Sequence, residues 1–299
     1  MIKRLINLLK REVIGIPGIL KCLYYANKKN SPYVILFAWC FFKKKELIKN
    51  NLGDDLNIFL AEKISEKKIL VYPNTRLGNL FCVKRYMFIG SILHFKLKNA
   101  IVCGAGIRNS NNTSLNGIPT QITAVRGPLT KQILEDHGVK CAPVYGDPAL
   151  LLPRFYTPNK IKNKKIGVIP HYNDLESKYL DLFKNDDCRI IKMRDYNSWT
   201  EVIDEINSCD VIFSSSLHGL IISEAYSIPY LWVQFLEKEN GWDFKYHDFF
   251  LSLGKDYPKP FDLKECTDIF ALAEKTKNEW KKGYLDLDTL LSAIPFRSL

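Results

Sequence analysis

The sequence lacks the features that mark several large protein classes. Its eight cysteines include no pair with C-x-x-C spacing, which favours reduced thiols of a cytosolic protein over a disulfide framework or a zinc site. The strongest apolar run, Tyr33 to Phe42, has ten residues and is too short to span a bilayer. Charges interrupt the apolar residues near the start and no small-residue cleavage site follows them, so a signal peptide is not expected.

Acidic residues are almost absent from the first 45 positions, where ten basic residues face Glu12 alone, a net +9 of the total +11. Charge confined to one end does not indicate a nucleic-acid binder, which would spread it over the fold. Apolar residues recur at helical spacing between residues 2 and 14 and predict a basic amphipathic helix. Such a helix can rest on an anionic membrane or dock on its own protein. The basic residues are Lys3, Arg4, Lys10, Arg11, Lys21, Lys28, Lys29, Lys43, Lys44 and Lys45.

The remaining chain has the composition of a globular protein, with 46% hydrophobic and 25% charged residues in 299 positions. That length suits two ordinary domains or one large α/β domain. The polar stretch YTPNKIKNKK, residues 156–165, predicts a domain boundary. The expected division is an extension (1–30), an N-terminal Rossmann-like domain (31–157), a C-terminal Rossmann-like domain (158–260) and a helical segment (261–299).

The organising stretch is Val211 to Val233, with the sequence VIFSSSLHGLIISEAYSIPYLWV. A short apolar run predicts a buried strand, the serines favour a helix N-cap, and a Pro ends the helix before the next strand. This pattern places His218 in the first helical turn at the carboxyl end of a strand, where open α/β sheets bind ligands. Ser215, Ser216 and Gly219 surround it, and a helix start favours an anion. The alternative is that His218 only packs or caps locally.

Further candidate residues follow other predicted strands. Gly104 and Gly106 would let a ligand approach the backbone, although GAGIRN lacks the later glycine of a dinucleotide fingerprint. Arg126 has the planar fork that suits phosphate or carboxylate, or it pairs with an aspartate. His171 follows the first strand of the second half and forms a candidate pair with His218.

Two aspartates precede predicted elements. Asp54 either contacts a ligand or caps a helix, and Asp147 either braces a loop or contacts a ligand. Asp286-Leu287-Asp288 matches the DxD of metal-dependent glycosyltransferases, but its place at a helix start favours a cap. No metal site is expected.

These stretches together resemble the polysaccharide pyruvyl transferase family, closest to its exopolysaccharide ketal-forming members. Many members have arginine just before the LH pair, where this chain has Ser216. Arg126, Lys245 or another cation would therefore have to bind the donor substrate. The matching segments are NLGDDLN (51–57), GAGI (104–107), VRGPLT (125–130), GDPALLL (146–152), IPHY (169–172) and SSSLHGLIISEAYSIPYLWV (214–233).

The resemblance implies two Rossmann-like domains facing across a cleft, as in B-type glycosyltransferases. It also implies that pyruvyl passes from phosphoenolpyruvate, a donor substrate and not a cofactor, to a hydroxyl of a surface polysaccharide or its lipid-linked precursor. His218 would be the acid or a phosphate contact, and His171 a second acid/base or a carboxylate contact. The expected location is the cytoplasm, with peripheral contact at the inner membrane face.

Two alternatives stay open. A B-type glycosyltransferase using a nucleotide sugar would place Glu224 on the nucleotide ribose. A non-catalytic protein that binds a membrane surface would depend on residues 1–30 and not on His218.

Overall fold

The computed structural model describes residues 2–43, 46–111, 114–159, 163–236 and 241–297. In chain order the strands are β1 (Tyr33–Phe37), β2 (Phe41–Lys43), β3 (Glu46–Ile48), β4 (Lys68–Val71), β5 (Arg85–Met87), β6 (Ala100–Cys103), β7 (Gln121–Ala124), β8 (Lys164–Ile169), β9 (Cys188–Ile190), β10 (Cys209–Ser214), β11 (Tyr230–Gln234) and β12 (Phe261–Asp262). The α-helices are α1 (Ile2–Ala26), α2 (Leu52–Ser65), α3 (Arg76–Phe81), α4 (Pro128–Asp136), α5 (Trp199–Asn207), α6 (Leu217–Ala225), α7 (Phe244–Ser252), α8 (Ile269–Glu279) and α9 (Leu287–Ser292). Short 3-10 helices cover Pro148–Arg154, Tyr172–Asp174, Lys178–Phe183 and Leu263–Glu265.

Two five-stranded sheets organise the molecule, in the orders β4-β1-β5-β6-β7 and β12-β11-β10-β8-β9. Every strand pair within these two sheets is parallel. Long crossover segments connect the parallel strands; helices form several of them, such as α5 between β9 and β10 and α6 between β10 and β11, whereas β5 leads to β6 without a helix. The predicted α/β class with parallel sheets is therefore confirmed.

The central strands are apolar because helices or loops cover both faces of these sheets. In β6 all four residues, Ala100 to Cys103, are buried, and in β10 the run Val211 to Phe213 is inaccessible to solvent. The largest apolar cluster contains residues of both sheets, including Leu36 of β1 and Ile212 of β10. The two halves thus share part of one core.

The C-terminal segment returns to the first sheet. The ring of Phe296 lies edge-on to Tyr86 and Phe88, with centroid distances of 5.0 and 5.2 Å. Glu224 helps to hold this return, because its Oε1 accepts a hydrogen bond of 2.7 Å from the Gly283 backbone N–H. Phe296 is therefore part of the core beneath the first half.

Several predicted elements differ from those observed. The apolar run Tyr33 to Phe42 predicts a single buried strand, but β1 ends at Phe37 and Phe41–Lys43 pairs with β3 in an antiparallel hairpin. The sequence of residues 174–185 predicts a helix after the first strand of the second half, but the structure has two 3-10 segments there, Tyr172–Asp174 and Lys178–Phe183. The second of these buries Leu180 and Phe183, three residues apart, which fits three residues per turn.

Two other segments are more regular or longer than expected. The stretch from Phe244, in which aromatic and charged residues alternate, favours a packed surface loop from the sequence, but it forms helix α7. The helix predicted over residues 2–14 runs on to Ala26 and carries Pro17 inside it. None of the helices among the described residues is both long enough and apolar enough to cross a bilayer.

Candidate functional site

A cavity of about 470 Å³ is lined by residues of both halves. Most of its lining follows the carboxyl ends of strands, which is where open α/β sheets bind ligands. The lining residues are Trp39, Asn50, Asn51, Asp54, Ser91, Ile92, His94, Phe95, Arg108, Pro170, His171, Tyr172, Leu175, Met193, Arg194, Ser216, Leu217, His218 and Lys245.

His218 lies in the first turn of α6 and packs against the start of α2. A Cβ placed on Gly53 would lie only 2.0 Å from the His218 Nδ1, so the ring occupies the space that a side chain at residue 53 would need. The His218 side chain is 11% exposed. Burial, followed by repulsion from Lys245 and Arg126, lowers the pKa of His218 to about 3. The imidazole is therefore neutral at physiological pH.

The other ring nitrogen of His218 faces Asp147. The distance from His218 Nε2 to Asp147 Oδ2 is 3.9 Å, which is too long for a hydrogen bond. Both atoms are buried without a hydrogen-bond partner among the described residues. Burial raises the pKa of Asp147 to about 6, although N–H donors of Ala149 and Gly90 act in the opposite direction. Because the imidazole is neutral, this contact is a polar pairing and not a salt bridge.

Asp54 brings a second titratable group to the cavity wall. Its Oδ2 accepts a hydrogen bond of 2.8 Å from Asn51 Nδ2. Burial is the main reason that the pKa of Asp54 rises to about 7. A carboxyl group with that pKa holds a proton part of the time at neutral pH, as a general acid must.

The next residue, Asp55, points away from the cavity and joins the two halves. Its Oδ2 accepts a hydrogen bond of 2.7 Å from Tyr196 Oη, and the Leu52 backbone N–H donates to the Met193 carbonyl at 2.7 Å. The start of α2 is thereby fixed against the second half. These contacts hold Gly53 and Asp54 in place beside His218.

His171 also lines the cavity, from the end of β8. Its Nδ1 accepts a hydrogen bond of 3.3 Å from the Asn173 N–H, which in a neutral ring places the proton on Nε2. The His171 backbone N–H donates to Ser215 Oγ at 2.9 Å. Ser215 is fully buried, and its hydroxyl donates to Asp174 at 2.7 Å. Ser215 therefore positions the His171 loop and does not line the cavity.

Ser216 is the N-cap residue of α6, and its side chain makes no capping hydrogen bond. It lines the cavity with Leu217 and His218. The start of α6 therefore presents the positive end of a helix dipole to the cavity. This is the arrangement that favours an anion.

Positive side chains reach the cavity from both halves: Arg108 follows β6, Arg194 follows β9, and Lys245 lies in the first turn of α7. The Lys245 Nζ lies 5.2 Å from the Trp242 ring centroid and 5.1 Å from that of Tyr246. Phosphate and carboxylate groups are the natural ligands of such a set.

Arg126 does not line the cavity. It is fully buried; its Nε donates to Asp248 Oδ2 at 3.0 Å, and Nη1 and Nη2 donate to Ser91 Oγ and the Ile107 carbonyl, each at 2.6 Å. The paired arginine considered from the sequence is the arrangement observed. Its guanidinium instead ties the end of β7 to α7, the helix that carries Lys245.

The three glycines that the sequence marked as candidates for ligand contact serve internal packing. A Cβ on Gly104 would lie 2.3 Å from Pro148, one on Gly106 would lie 2.4 Å from the Arg126 guanidinium carbon, and one on Gly219 would lie 2.3 Å from Ser214 Oγ. None of these three glycines lines the cavity. The close approach expected at these positions is made by the protein's own side chains.

Glu224, the residue on which the nucleotide-sugar alternative depended, is also internal. It is 2% exposed, and its Oε2 accepts hydrogen bonds of 2.5 Å from Lys255 Nζ and 2.6 Å from Tyr230 Oη. Its two oxygens are therefore occupied by the protein itself. Asp286, the first residue of the D-x-D match, caps α9 by accepting from the Asp288 and Thr289 N–H groups. The described residues contain no cluster of three or more metal-ligating side chains.

Sequence reasoning did not single out Arg108, Arg194 or His94. A signal existed for the arginines, because each lies a few residues beyond the end of a parallel strand. His94 belongs to an irregular segment that no periodicity marks, and burial lowers its pKa.

Comparison with known proteins agrees with this geometry. The family model described as "Polysaccharide pyruvyl transferase" matches residues 19–234. The chain belongs to the polysaccharide pyruvyl transferase family. The matched range contains all the cavity-lining residues except Lys245.

Two curated relatives are similar over a similar extent. An uncharacterized protein, L143, of Acanthamoeba polyphaga mimivirus is 28% identical over 209 residues, 68% of this chain and 71% of its own. The succinoglycan biosynthesis protein ExoV of Rhizobium meliloti (strain 1021) is 28% identical over 216 residues, 69% of this chain and 63% of its own. The match therefore spans less than two thirds of the succinoglycan protein.

Proposed function

We propose that this member of the polysaccharide pyruvyl transferase family transfers the pyruvyl group of phosphoenolpyruvate to a saccharide and forms a ketal. The observation that carries the proposal is a cavity that combines Arg108, Arg194 and Lys245 with the start of α6 and His218. Phosphoenolpyruvate carries a phosphate and a carboxylate on one small carbon frame. Cations and helix N-termini are the groups that bind both.

The reaction balances without a redox partner. One proton adds to the methylene carbon of the donor, and two acceptor hydroxyls add to its C2 carbon. Those hydroxyls release two protons, and phosphate leaves carrying one of them. The site must therefore supply one proton to carbon and remove protons from oxygen.

Asp54 fits the role of proton donor to carbon. Its pKa of about 7 leaves it partly protonated at neutral pH, and a bound phosphate or carboxylate would raise that pKa further. The carboxyl group would therefore stay protonated while the donor is bound. The positive C2 centre that forms would be stabilised by the negative charges of the donor and by the Asp147 carboxylate near the ring of His218.

His218 fits the role of the group that handles the acceptor's proton. Its pKa of about 3 reflects burial and the repulsion of nearby cations. A bound anion would offset that repulsion and raise the pKa toward the range in which an imidazole exchanges protons. His171, with its Nε2 proton, would donate to the donor carboxylate.

The acceptor would be a saccharide of a surface polysaccharide or of its precursor, held beside the donor. Trp39 is 37% exposed and stacks on Phe95 at a centroid distance of 5.1 Å on the cavity wall. Such a ring offers an apolar face to a sugar. Because phosphoenolpyruvate is a cytoplasmic metabolite, the reaction would take place in the cytoplasm.

The direct test is phosphate release. The full chain is incubated with phosphoenolpyruvate and a panel of bacterial glycans, and phosphate is measured together with the mass increase of the glycan. The proposal predicts acceptor-dependent phosphate release and a glycan heavier by one pyruvate ketal. Nucleoside diphosphate release from a sugar nucleotide, without phosphate release from phosphoenolpyruvate, would overturn it.

A further inference from the structure

Helix α1 is apolar on two opposite faces. One face packs on the protein through Gly15, Ile19 and Cys22, of which Ile19 is 2% and Cys22 1% exposed. On the opposite face Val13 is 63%, Leu20 60% and Tyr24 64% exposed. A surface helix ordinarily turns polar residues outward, so the outward apolar residues need another explanation.

The exposed residues form a continuous stripe. Val13, Ile16, Leu20 and Tyr24, here called the outer stripe, follow one another at intervals of three and four residues, which places them on one side of an α-helix. In the sequence the same spacing runs back through Leu9 and Ile6. The adjoining helix α3 adds Leu80, 75% exposed, and Phe81, 52% exposed.

Positive charge accompanies the outer stripe. At 100° per residue, Lys10 and Lys21 lie beside it on the helix surface, and both are exposed. Glu12, the only acidic residue among the first 45, is turned toward α3. Its carboxylate oxygens accept from the Arg76 and Leu77 N–H groups at 2.8 and 2.9 Å. Among the described side chains of this helix, Lys10 and Lys21 are therefore exposed, whereas Glu12 bonds to the protein itself.

Helix α1 runs along the first sheet from its carboxyl edge, which carries the cavity, to its amino edge, where the ring centroid of Tyr25 lies 4.6 Å from that of Tyr33, the first residue of β1. Cβ atoms on Gly15 and Gly18 would each lie 2.9 Å from side-chain atoms of Thr75 and Pro73, residues that follow the carboxyl end of β4. Trp39, on the cavity wall, follows the carboxyl end of the neighbouring strand β1. The part of the outer stripe around Val13 and Ile16 is therefore at the edge of the sheet that carries the cavity.

We propose that the outer stripe of α1 docks on an anionic lipid surface, with Lys10 and Lys21 near the headgroups. Apolar residues beside lysines are the pattern of helices that lie in the membrane interface. A negative surface is the partner that complements a net charge of +9 over residues 1–45. This inference rests on the proposed function: docking would bring the cavity close to an acceptor saccharide that is carried on a membrane lipid.

The test measures vesicle binding and requires no catalysis, so its failure is distinct from failure of the proposed transfer. The full chain is centrifuged with vesicles of phosphatidylcholine alone or with about one third phosphatidylglycerol. We expect binding to the anionic vesicles, weakened by added salt because surface charges are screened. We expect the double variant Val13→Asp/Leu20→Asp to bind roughly tenfold or more weakly, since charge replaces apolar contact with the interface.

Ile118→Asp is the matched control. Ile118 is 69% exposed and precedes β7, which lies at the other end of the strand order from β4 and β1, the strands that α1 contacts. It should leave vesicle binding unchanged, while Lys10→Glu/Lys21→Glu should weaken binding to the anionic vesicles only. Thermal unfolding confirms that each variant is folded. Equal binding by the wild type and the stripe variant overturns the proposal, as does a wild type that forms dimers through the stripe and ignores vesicles.

Discussion

At the scale of single residues, His218 is defined by what surrounds its ring. Gly53 leaves the space for it, and Asp147 lies 3.9 Å from its Nε2. Burial and nearby cations lower its pKa and keep the imidazole neutral. In the proposed reaction, a bound anion would offset the repulsion from those cations.

Replacing His218 by Asn should remove most of the transfer activity. General acid–base groups contribute roughly 10²- to 10⁴-fold to rate, so kcat should fall within that range. Phosphate release from phosphoenolpyruvate with a working acceptor measures the effect. His137→Asn, which changes an exposed histidine at the end of α4, should retain activity. Full activity in His218→Asn would remove the residue from the mechanism.

Asp54 should give stability a defined dependence on pH. Its pKa in the folded protein, about 7, is above the value of about 3.9 in an unfolded chain. The folded state then binds more protons between these values, so the stabilisation is complete below pH ~4 and is lost as pH rises through about 7. The Asp54→Asn variant does not lose stability in this way as pH rises. The difference between its unfolding midpoint temperature and that of the wild type should therefore increase from pH 5 to pH 8.

His218 has the opposite effect, because its depressed pKa makes stability rise with pH below ~6.5. This effect is present in the wild type and in Asp54→Asn, so it cancels in the difference between their midpoint temperatures. Asp286→Asn is the control, because the pKa of this exposed capping carboxylate is lowered and its difference from the wild type should stay flat over the same pH range. A flat difference for Asp54→Asn would show that its pKa is ordinary.

The Arg126–Asp248 pair should be a stability determinant. Both side chains are fully buried, and Asp248 also accepts hydrogen bonds from the Thr130 N–H and hydroxyl. Asp248→Ala leaves a buried guanidinium without its counter-charge and should cost about 3–5 kcal/mol. Asp288→Ala breaks the exposed pair with Arg154 and should cost about 1 kcal/mol or less. Equal costs in urea unfolding would contradict the assigned role.

The sequence located some of these residues better than others. His218, His171 and Ser216 line the cavity, and their position after a strand can be read from hydrophobic periodicity. Asp54 and Lys245 also line it, but they lie in the first turns of α2 and α7, and it is the family resemblance that points to Lys245. The burial of Arg126 could not be read that way, since its partner Asp248 is 122 positions away. A sequence pattern predicts the sheet edge at which a residue lies, but not the distant side chain with which it pairs.

At the scale of elements, the site depends on two helix starts that meet. The first turn of α2 lies against the first turn of α6, and Gly53 permits the contact because a Cβ there would lie 2.0 Å from the His218 Nδ1. Neither helix start can move without moving the other. The backbone at Gly53 therefore determines where the ring of His218, the proposed acid–base residue, can lie.

Gly53→Ala should therefore disturb His218 specifically. In an open helix the change would stabilise by up to about 1 kcal/mol, whereas here we expect destabilisation and loss of activity. The double variant Gly53→Ala/His218→Ala should recover much of the stability, because removal of the ring relieves the overlap. Urea unfolding of the single and double variants measures the coupling. Independent effects of the two changes would show that the residues do not touch.

Elements with long periodic patterns were predictable and short ones were not. The strand–helix–strand order of residues 211–233 follows directly from alternating apolar runs and a helix stop before Pro229. Strand β5 escaped prediction because it has three residues, Arg85 to Met87, although it lies in the middle of the first sheet. Hydrogen bonding to β1 and β6 makes this segment a strand, whereas its own sequence carries no strand signal.

At the scale of the whole molecule, the C-terminal segment joins the two halves. The ring of Phe296 is fully buried against Tyr86 and Phe88, more than 200 positions earlier in the chain. The sequence predicted a helical C-terminal segment, but a pattern of apolar residues could not say which half it would cover.

Phe296→Ala should destabilise the protein by about 3–5 kcal/mol, the usual cost of emptying a buried aromatic site. Phe270→Ala, at a position 37% exposed on α8, should cost clearly less. Thermal or urea unfolding compares the two. A similar small cost for both would mean that the C-terminal return contributes little to holding the halves together.

The central claim is that phosphoenolpyruvate binds between the two sheets through the chain's own cations. The most direct measurement is the affinity of phosphoenolpyruvate for the wild type, Lys245→Met and Lys184→Met, by calorimetry or thermal shift. Hydrogen bonds to charged groups contribute about 1.5–3 kcal/mol, so Lys245→Met should weaken binding roughly 10- to 100-fold. Lys184→Met, at a side chain 69% exposed and away from the cavity, should bind as the wild type does. Equal affinity in all three proteins, or no binding by the wild type, would contradict the account.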